Sequence, residues 1–448
     1  MEKQIDSSFV ELRKTCFQKK VLRKLYLISI VIFLCILAGF IYKIITWEVF
    51  VDSAAKRNAD NEIRKLAAPS FKRHTGLDKD PNDFTDEDFA QIKEFSAKSW
   101  VFYDISLLEK FTNLEELGLY GIDLPPKQSP GWAKFLKKFL SIDFSRRKYL
   151  DLKPIRNLSF LQSLSVWYSQ VSNLEPLKGL VKLQILDASY TDVSGLKPLN
   201  KLTNMKRLFL GNTHVYDLSP LENLKNLEAL ELNNTKVSSL EPIKELKNLR
   251  ELYLSNTKVS DIEPLKDLTN MQSLDLCVIP IYDLEPIKEL TKLQRLELSN
   301  TQVCNLEPIK NFTNLKVLDL LETQVYDIKP LENMKYLESL RLSFTKVSDI
   351  EVLKGLSELK QLYLMKTQIS SLESIKGLIK LQILDLTATQ VSDLELLKGL
   401  KNLRELFITD CPNITDEQVE DLQKALPTLE IRRDVPNPWA MWNQTKLW

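Results

Sequence analysis

A 22-residue period dominates this chain and limits what it can fold into. The unit LEPIKELKNLRELYLSNTKVSD, residues 240–261, has near copies on both sides, and its first apolar position recurs at Leu152, Leu174, Leu196, Leu218, Leu240, Ile262, Leu284, Leu306, Ile328, Ile350, Leu372 and Leu394. Two earlier units start near Ile105 and Pro130, the second after a three-residue insertion around PKQ, which gives fourteen units before a C-terminal cap. A unit this short cannot bury its own leucines, so it must stack on its neighbours in a quasi-one-dimensional array with one continuous core.

Apolar residues fall at unit positions 1, 4, 7, 10, 13, 15 and 20. Only positions 13 to 15, as in Leu252-Tyr253-Leu254, alternate in the manner of a strand. Each short strand is expected to pair in parallel with the next at about 4.8 Å, giving an arc of nearly ~70 Å over fourteen units. The leucines then face the core, and the residue between them faces outward on a concave side. Proline at position 3 (Pro176, Pro198, Pro220, Pro242, Pro264, Pro286, Pro308, Pro330) presets the backbone for a short convex helix or 3₁₀ turn. Position 18 carries Thr191, Thr213, Thr235, Thr257, Thr301, Thr323, Thr345, Thr367 and Thr389 where the chain leaves the strand. Hydroxyls there are expected to form a structural ladder that satisfies turn backbone groups. An active site is not copied nine times, which argues against catalysis by these threonines.

The position-14 column offers a candidate partner-binding surface: Asp187, Phe209, Glu231, Tyr253, Asp275, Glu297, Asp319, Arg341, Tyr363, Asp385 and Phe407, preceded by Asp143 and Ser165. Positions 16 and 17 add Trp167, Tyr168, Tyr190, Phe344 and Met365. Large aromatics among charges are a recurrent composition of protein-binding patches. The bland alternative is a column that the core leaves unconstrained.

The quoted unit resembles the leucine-rich repeat of the 22-residue class, as in bacterial internalins and the leucine-rich regulatory subunit of protein phosphatase 1. The resemblance covers residues 105–431 and implies an α/β solenoid: a curved horseshoe with a parallel concave sheet and short convex helices or 3₁₀ turns. Threonine at position 18 departs from the asparagine many such families carry. Residues 46–104 read as linker and helical N-terminal cap, with Phe89, Ile92, Phe95 and Ala97 at template positions 7, 10, 13 and 15. Repeats then run over 105–415. Residues 416–448 form a C-terminal cap, resembling the cysteine-containing repeat type with Cys411 in its turn, and a tail bearing Trp439, Trp442 and Trp448.

Residues 25–45, LYLISIVIFLCILAGFIYKII, contain a single formal charge, Lys43. As a helix they cover roughly 30 Å, the thickness of bilayer hydrocarbon. Arg13, Lys14, Lys19, Lys20, Arg23 and Lys24 precede this run, whereas Lys56 and Arg57 are the only basic residues soon after it. The positive-inside bias therefore predicts a single-pass anchor with residues 1–24 as a basic cytoplasmic tail and the repeats outside. A cleaved signal peptide is the alternative, but the apolar run is long and offers no convincing cleavage site.

No catalytic constellation stands outside the repeat. The two histidines, His74 and His214, lack companions at ligand spacing, and neither G-x-x-x-x-G-K-[ST], G-x-S-x-G nor H-E-x-x-H occurs. The five cysteines show no paired spacing, so no metal site, cofactor or disulfide framework is expected. Sixty-one basic against sixty acidic residues leave a net charge of +1, which gives no bulk attraction to nucleic acid. The reading is a non-enzymatic binding protein with a protein or peptide ligand. A glycan or cell-wall surface protein, or a cytosolic-facing scaffold or regulatory subunit working through convex charges such as Glu241, Lys244 and Glu245, are the alternatives.

Overall fold

The structure is a computed structural model of the 448-residue chain and describes residues 54–98, 105–120 and 150–433. The chain divides into units 1–64 and 65–448. Among the described residues no helix is long and apolar enough to cross a membrane; the expected span at 25–45 lies outside them, as do the basic tail and the tryptophan-rich tail.

Within unit 65–448 the described repeats form a parallel-strand solenoid. Its fifteen strands form one parallel sheet in strict sequence order, from β1 (Glu94–Lys98) and β2 (Glu116–Tyr120) through β3 (Ser163–Ser165) to β14 (Glu405–Phe407) and β15 (Glu430–Arg432). From β3 to β14 each strand is three residues long, and each up to β13 pairs with the copy of itself 22 residues on, as Leu230↔Leu252↔Leu274. An in-register parallel ladder places like residues side by side, so each template position becomes a column.

The columns explain the fold. The position-13 and position-15 leucines, such as Leu252 and Leu254, are fully buried, and so are positions 4, 7 and 10. Fully burying one such side chain contributes about 1.5–3 kcal/mol before entropy is counted. The return path is 3₁₀ in every repeat from Lys153–Ile155 onward, not α-helical, and proline occupies the middle residue in most of them, as in Glu241–Ile243. Two more ladders hold that path. At position 22 an acid, amide or hydroxyl accepts the backbone N–H two residues on, as Asp261 does from Glu263 at 2.9 Å. At position 9 an asparagine amide donates to a carbonyl of the preceding repeat, as Asn248 does to Lys225 at 2.8 Å.

The array is closed at both ends. Of helix α1 (Ala54–Thr75), residues 65–75 belong to this unit and form the N-terminal cap with the five-residue α2 (Asp86–Ala90) and β1. Its core is a run of aromatic contacts, Phe71 to Phe84 to Phe89 to Phe111, with centroids 4.8, 5.5 and 5.0 Å apart. Thr85 starts α2 with a reciprocal cap involving Asp88. At the other end α3 (Asp416–Ala425) begins with the same device between Thr415 and Gln418, and β15 covers β14. An uncapped array would leave its last leucine layer in water.

The unit expected near Pro130 falls between β2 and β3 in sequence, outside the described residues. β2 pairs directly with β3, with Leu117 opposite Leu164, although 47 residues separate them against 22 for the other pairs up to β14 and 25 for the last. Residues 121–149, with Asp143 of the expected column, lie outside the described residues.

Candidate functional site

The face of the sheet opposite the core is made by positions 12, 14, 16 and 17, and it is not uniform along the array. The turn that follows each strand sets its geometry. Every position-17 residue from Tyr168 to Asp410 is left-handed, with φ between 54° and 62°. Asparagine tolerates this conformation and supplies it at Asn212, Asn234, Asn256 and Asn300. Tyr168, Tyr190, Phe344 and Val278 hold it at a cost of about 1–2 kcal/mol each. One residue later the threonines turn inward: each of the nine Thr Oγ1 atoms donates to the carbonyl three residues back, at 2.6 to 2.8 Å, from Thr191 to Ala188 through Thr389 to Leu386. Ile279 takes the threonine's place in one repeat.

At the N-terminal end, Trp167, Tyr168 and Tyr190 form one aromatic cluster with centroids 5.1, 5.3 and 6.0 Å apart. Trp167 and Tyr190 remain 38% exposed. Backbone bonds join this cluster to the strands beside it, Tyr168 N–H donating to Ser189 O and Tyr190 N–H to Gly211 O. There Asp187, Phe209 and Glu231 stand side by side on three adjacent strands. The Glu231 carboxylate lies over Gly211, where a Cβ would come within 2.3 Å of Oε1, and accepts a 3.4 Å bond from Ser189 Oγ. Burial, then Asp187, push the Glu231 carboxyl above the usual range, with Asp275 adding to the effect.

In the centre, Tyr253 is half-buried, and burial raises its phenol pKa. Asp275, Cys277 and Glu297 bring their ligating atoms within 4.8 Å of one another, the one trio among the described residues whose spacing suits a metal ion. Burial, reinforced by Asp275, pushes the Cys277 thiol well above its ordinary value. Arg295 pairs with Glu297 at 2.8 Å, which neutralises one member of the trio.

The C-terminal end is closed by its own cations. Arg341 pairs with Asp319 at 3.1 Å and lies 5.2 Å from the Tyr363 ring centroid; Lys366 sits over Phe344 and Arg432 over Phe407. The expectation that the whole position-14 column faces solvent fails here. Tyr363 is buried, and Asp385 and Phe407 have no exposed surface, because their neighbours on both sides are bulky and β15 covers the last layer.

Sequence reasoning overlooked several members of this surface. Position 12 belongs to the same face by strand alternation and contributes Arg207, Glu251 and Arg295. Gly211, the one position-16 glycine, was visible as a break in its column. A separate column at position 21, just after the buried valine, holds the highly exposed Tyr216, Tyr282 and Tyr326.

Comparison with known proteins agrees with this architecture. The model for "Leucine Rich repeats (2 copies)" matches residues 203–245 and 247–287. No curated protein matches the chain. An internalin (inlF) from Listeria monocytogenes is 25% identical, with a TM-score of 0.63 over 84% of this chain and 97% of its own. A leucine-rich-repeat protein from Leptospira interrogans is 22% identical, with a TM-score of 0.51 over 72% and 91%. The plant peptide hormone receptor RGFR1, solved in complex with RGF2, is 18% identical, with a TM-score of 0.55 over 74% and 53%. The chain is thus a leucine-rich-repeat protein with internalins among its structural neighbours.

Proposed function

We propose that this chain is a membrane-anchored binding protein that presents the sheet face outside the cytoplasm to a protein or peptide ligand, without catalysis. The observation that carries the reading is the cluster of Trp167, Tyr168 and Tyr190, partly exposed and held partly by left-handed tyrosines where asparagine is cheaper. Backbone strain that the fold does not need is a mark of a working surface. Aromatic anchors are also the residues on which binding energy concentrates. The anchored, outward-facing arrangement rests on the apolar run at 25–45 and the basic residues before it. That a peptide hormone receptor shares the fold makes a peptide or protein ligand the natural class.

The test is site-specific photocrosslinking in intact cells, with benzoylphenylalanine replacing Tyr190 in one culture and Tyr282, on the position-21 flank, in another. A discrete adduct from position 190 alone supports the sheet face; an adduct from position 282 alone moves the ligand to the flank. Protease added to the same cells digests the repeats while a cytoplasmic control survives, if the arrangement is as proposed. Protection of the repeats until lysis reverses it.

A further inference from the structure

The two ends of the sheet face solve the same electrostatic problem in different ways. Around Tyr363, Phe344 and Phe407 the protein supplies its own cations, Arg341, Lys366 and Arg432, over the rings. Around Trp167, Tyr168 and Tyr190 it supplies carboxylates instead. Asp187 ends β4 (Ile185–Asp187), and Glu231, two strands on, folds back across Gly211 toward Ser189. Phe209 lies between the two acids with its ring half-buried. Arg207, the nearest basic residue on this face, makes no ion pair within 4.0 Å among those the structure gives.

The close approach of Glu231 to Gly211 marks this spot: a side chain at position 211 would collide with the Glu231 carboxylate, so the missing Cβ lets that carboxylate lie down over the turn. The Ser165 hydroxyl beside Asp187 has no hydrogen-bond partner, but neither do those of Ser273, Ser299, Ser343 and Thr387 further along the array, so the acids and aromatics distinguish this end. Aromatic faces attract cations, more so when desolvated, and a carboxylate pair is the natural complement of a planar guanidinium.

Resting on the sheet face being the ligand surface, we infer that its N-terminal end receives an arginine-bearing segment of the partner. The guanidinium stacks against the aromatic cluster and Phe209 while Asp187 and Glu231 accept its N–H groups. A bound cation also offsets the burial and the Asp187 repulsion that together lift the Glu231 carboxyl. The chain's net charge of +1 gives no general reason for a basic peptide to bind elsewhere.

The test uses the full chain in detergent micelles and a fluorescein-labelled peptide, Gly-Ser-Arg-Gly-Arg-Ser-Gly, against the same peptide with citrulline, a neutral isostere, in place of arginine. Fluorescence anisotropy is expected to show the arginine peptide binding at least tenfold more tightly, with affinity falling as salt rises. The double variant Asp187→Asn, Glu231→Gln is expected to erase the preference, whereas Asp275→Asn with Glu297→Gln leaves it intact. Equal binding of both peptides, no binding of either, or loss with the central pair in place of the N-terminal pair overturns the inference. So does binding that appears only when residues 121–149 are removed, because the occupant is then the chain's own basic segment with Lys134, Lys137 and Lys138. A position-190 crosslink that persists while the peptide preference fails rejects the arginine alone; loss of both rejects the sheet face as well.

Discussion

At the N-terminal end of the sheet, Trp167 and Tyr190 stand 38% exposed beside Asp187 and Glu231, whereas at the C-terminal end Phe407 is wholly buried, with Arg432 over its ring. Both ends use aromatics and charges from the same columns. What differs is who supplies the counter-charge and the cover. At the C-terminal end the next strand and its arginine do so, and the aromatics become core. At the N-terminal end the aromatics Tyr168 and Tyr190 sit in left-handed turns, and the surface of Trp167 and Tyr190 stays open. A repeat position is therefore a place in a lattice, and its neighbours decide whether it serves packing or recognition.

Substitution of the two aromatics should separate these roles most sharply. Phe407→Ala is expected to destabilise the fold by about 3–5 kcal/mol, as for a fully buried phenylalanine, whereas Trp167→Ala should cost less than ~1.5 kcal/mol yet abolish the position-190 crosslink. Urea titrations followed by circular dichroism give both numbers; equal losses would erase the distinction between the ends.

The threonine ladder runs through both ends and should be indifferent to the contrast. Thr235→Val keeps shape but removes the donor to Leu232 O, so a loss of about 1–3 kcal/mol is expected. The same change at Thr367 should match it within experimental error. A much smaller loss at either site would mean that the turn finds another donor.

The strained turns offer the opposite sign. Val278, β-branched at φ 57°, packs in no aromatic cluster, so Val278→Asn should stabilise by about 1 kcal/mol. Tyr190→Asn relieves the same backbone but loses ring contacts of similar worth, so its stability should hardly change while ligand binding falls. Melting curves for the pair separate strain kept for function from strain that is merely tolerated.

The smallest effect is electrostatic. Glu231 is raised in the folded state, so the folded chain holds that proton to higher pH than the unfolded chain does. Stability from this group is therefore greatest below the ordinary glutamate pKa and declines as pH rises through the folded value. Glu231→Gln should raise the melting temperature at pH 7 and leave it unchanged near pH 3.5. A destabilised Gln variant at pH 7 would mean that an internal cation already compensates the carboxylate.

Much of the fold was legible from residue order. The period named the parallel ladder, the leucine positions named the core, Phe95 marked the capping strand, and proline at position 3 named the tight return path. Each follows from a rule that acts within one unit or between identical neighbours. The left-handed column was also readable, since Asn212, Asn234, Asn256 and Asn300 mark it, but the aromatics that replace asparagine hid it.

Residue order alone thus determined the architecture, because stacking identical units leaves the core few alternatives. Which members of the position-14 column meet solvent was decided by packing. Asp187 and Asp385 share a template position and an amino acid, yet one is partly exposed beside an aromatic cluster and the other is fully buried between Tyr363 and Phe407. Burial belongs to the neighbours on adjacent strands, 22 residues away in each direction, and only the assembled sheet brings their bulk and charge together.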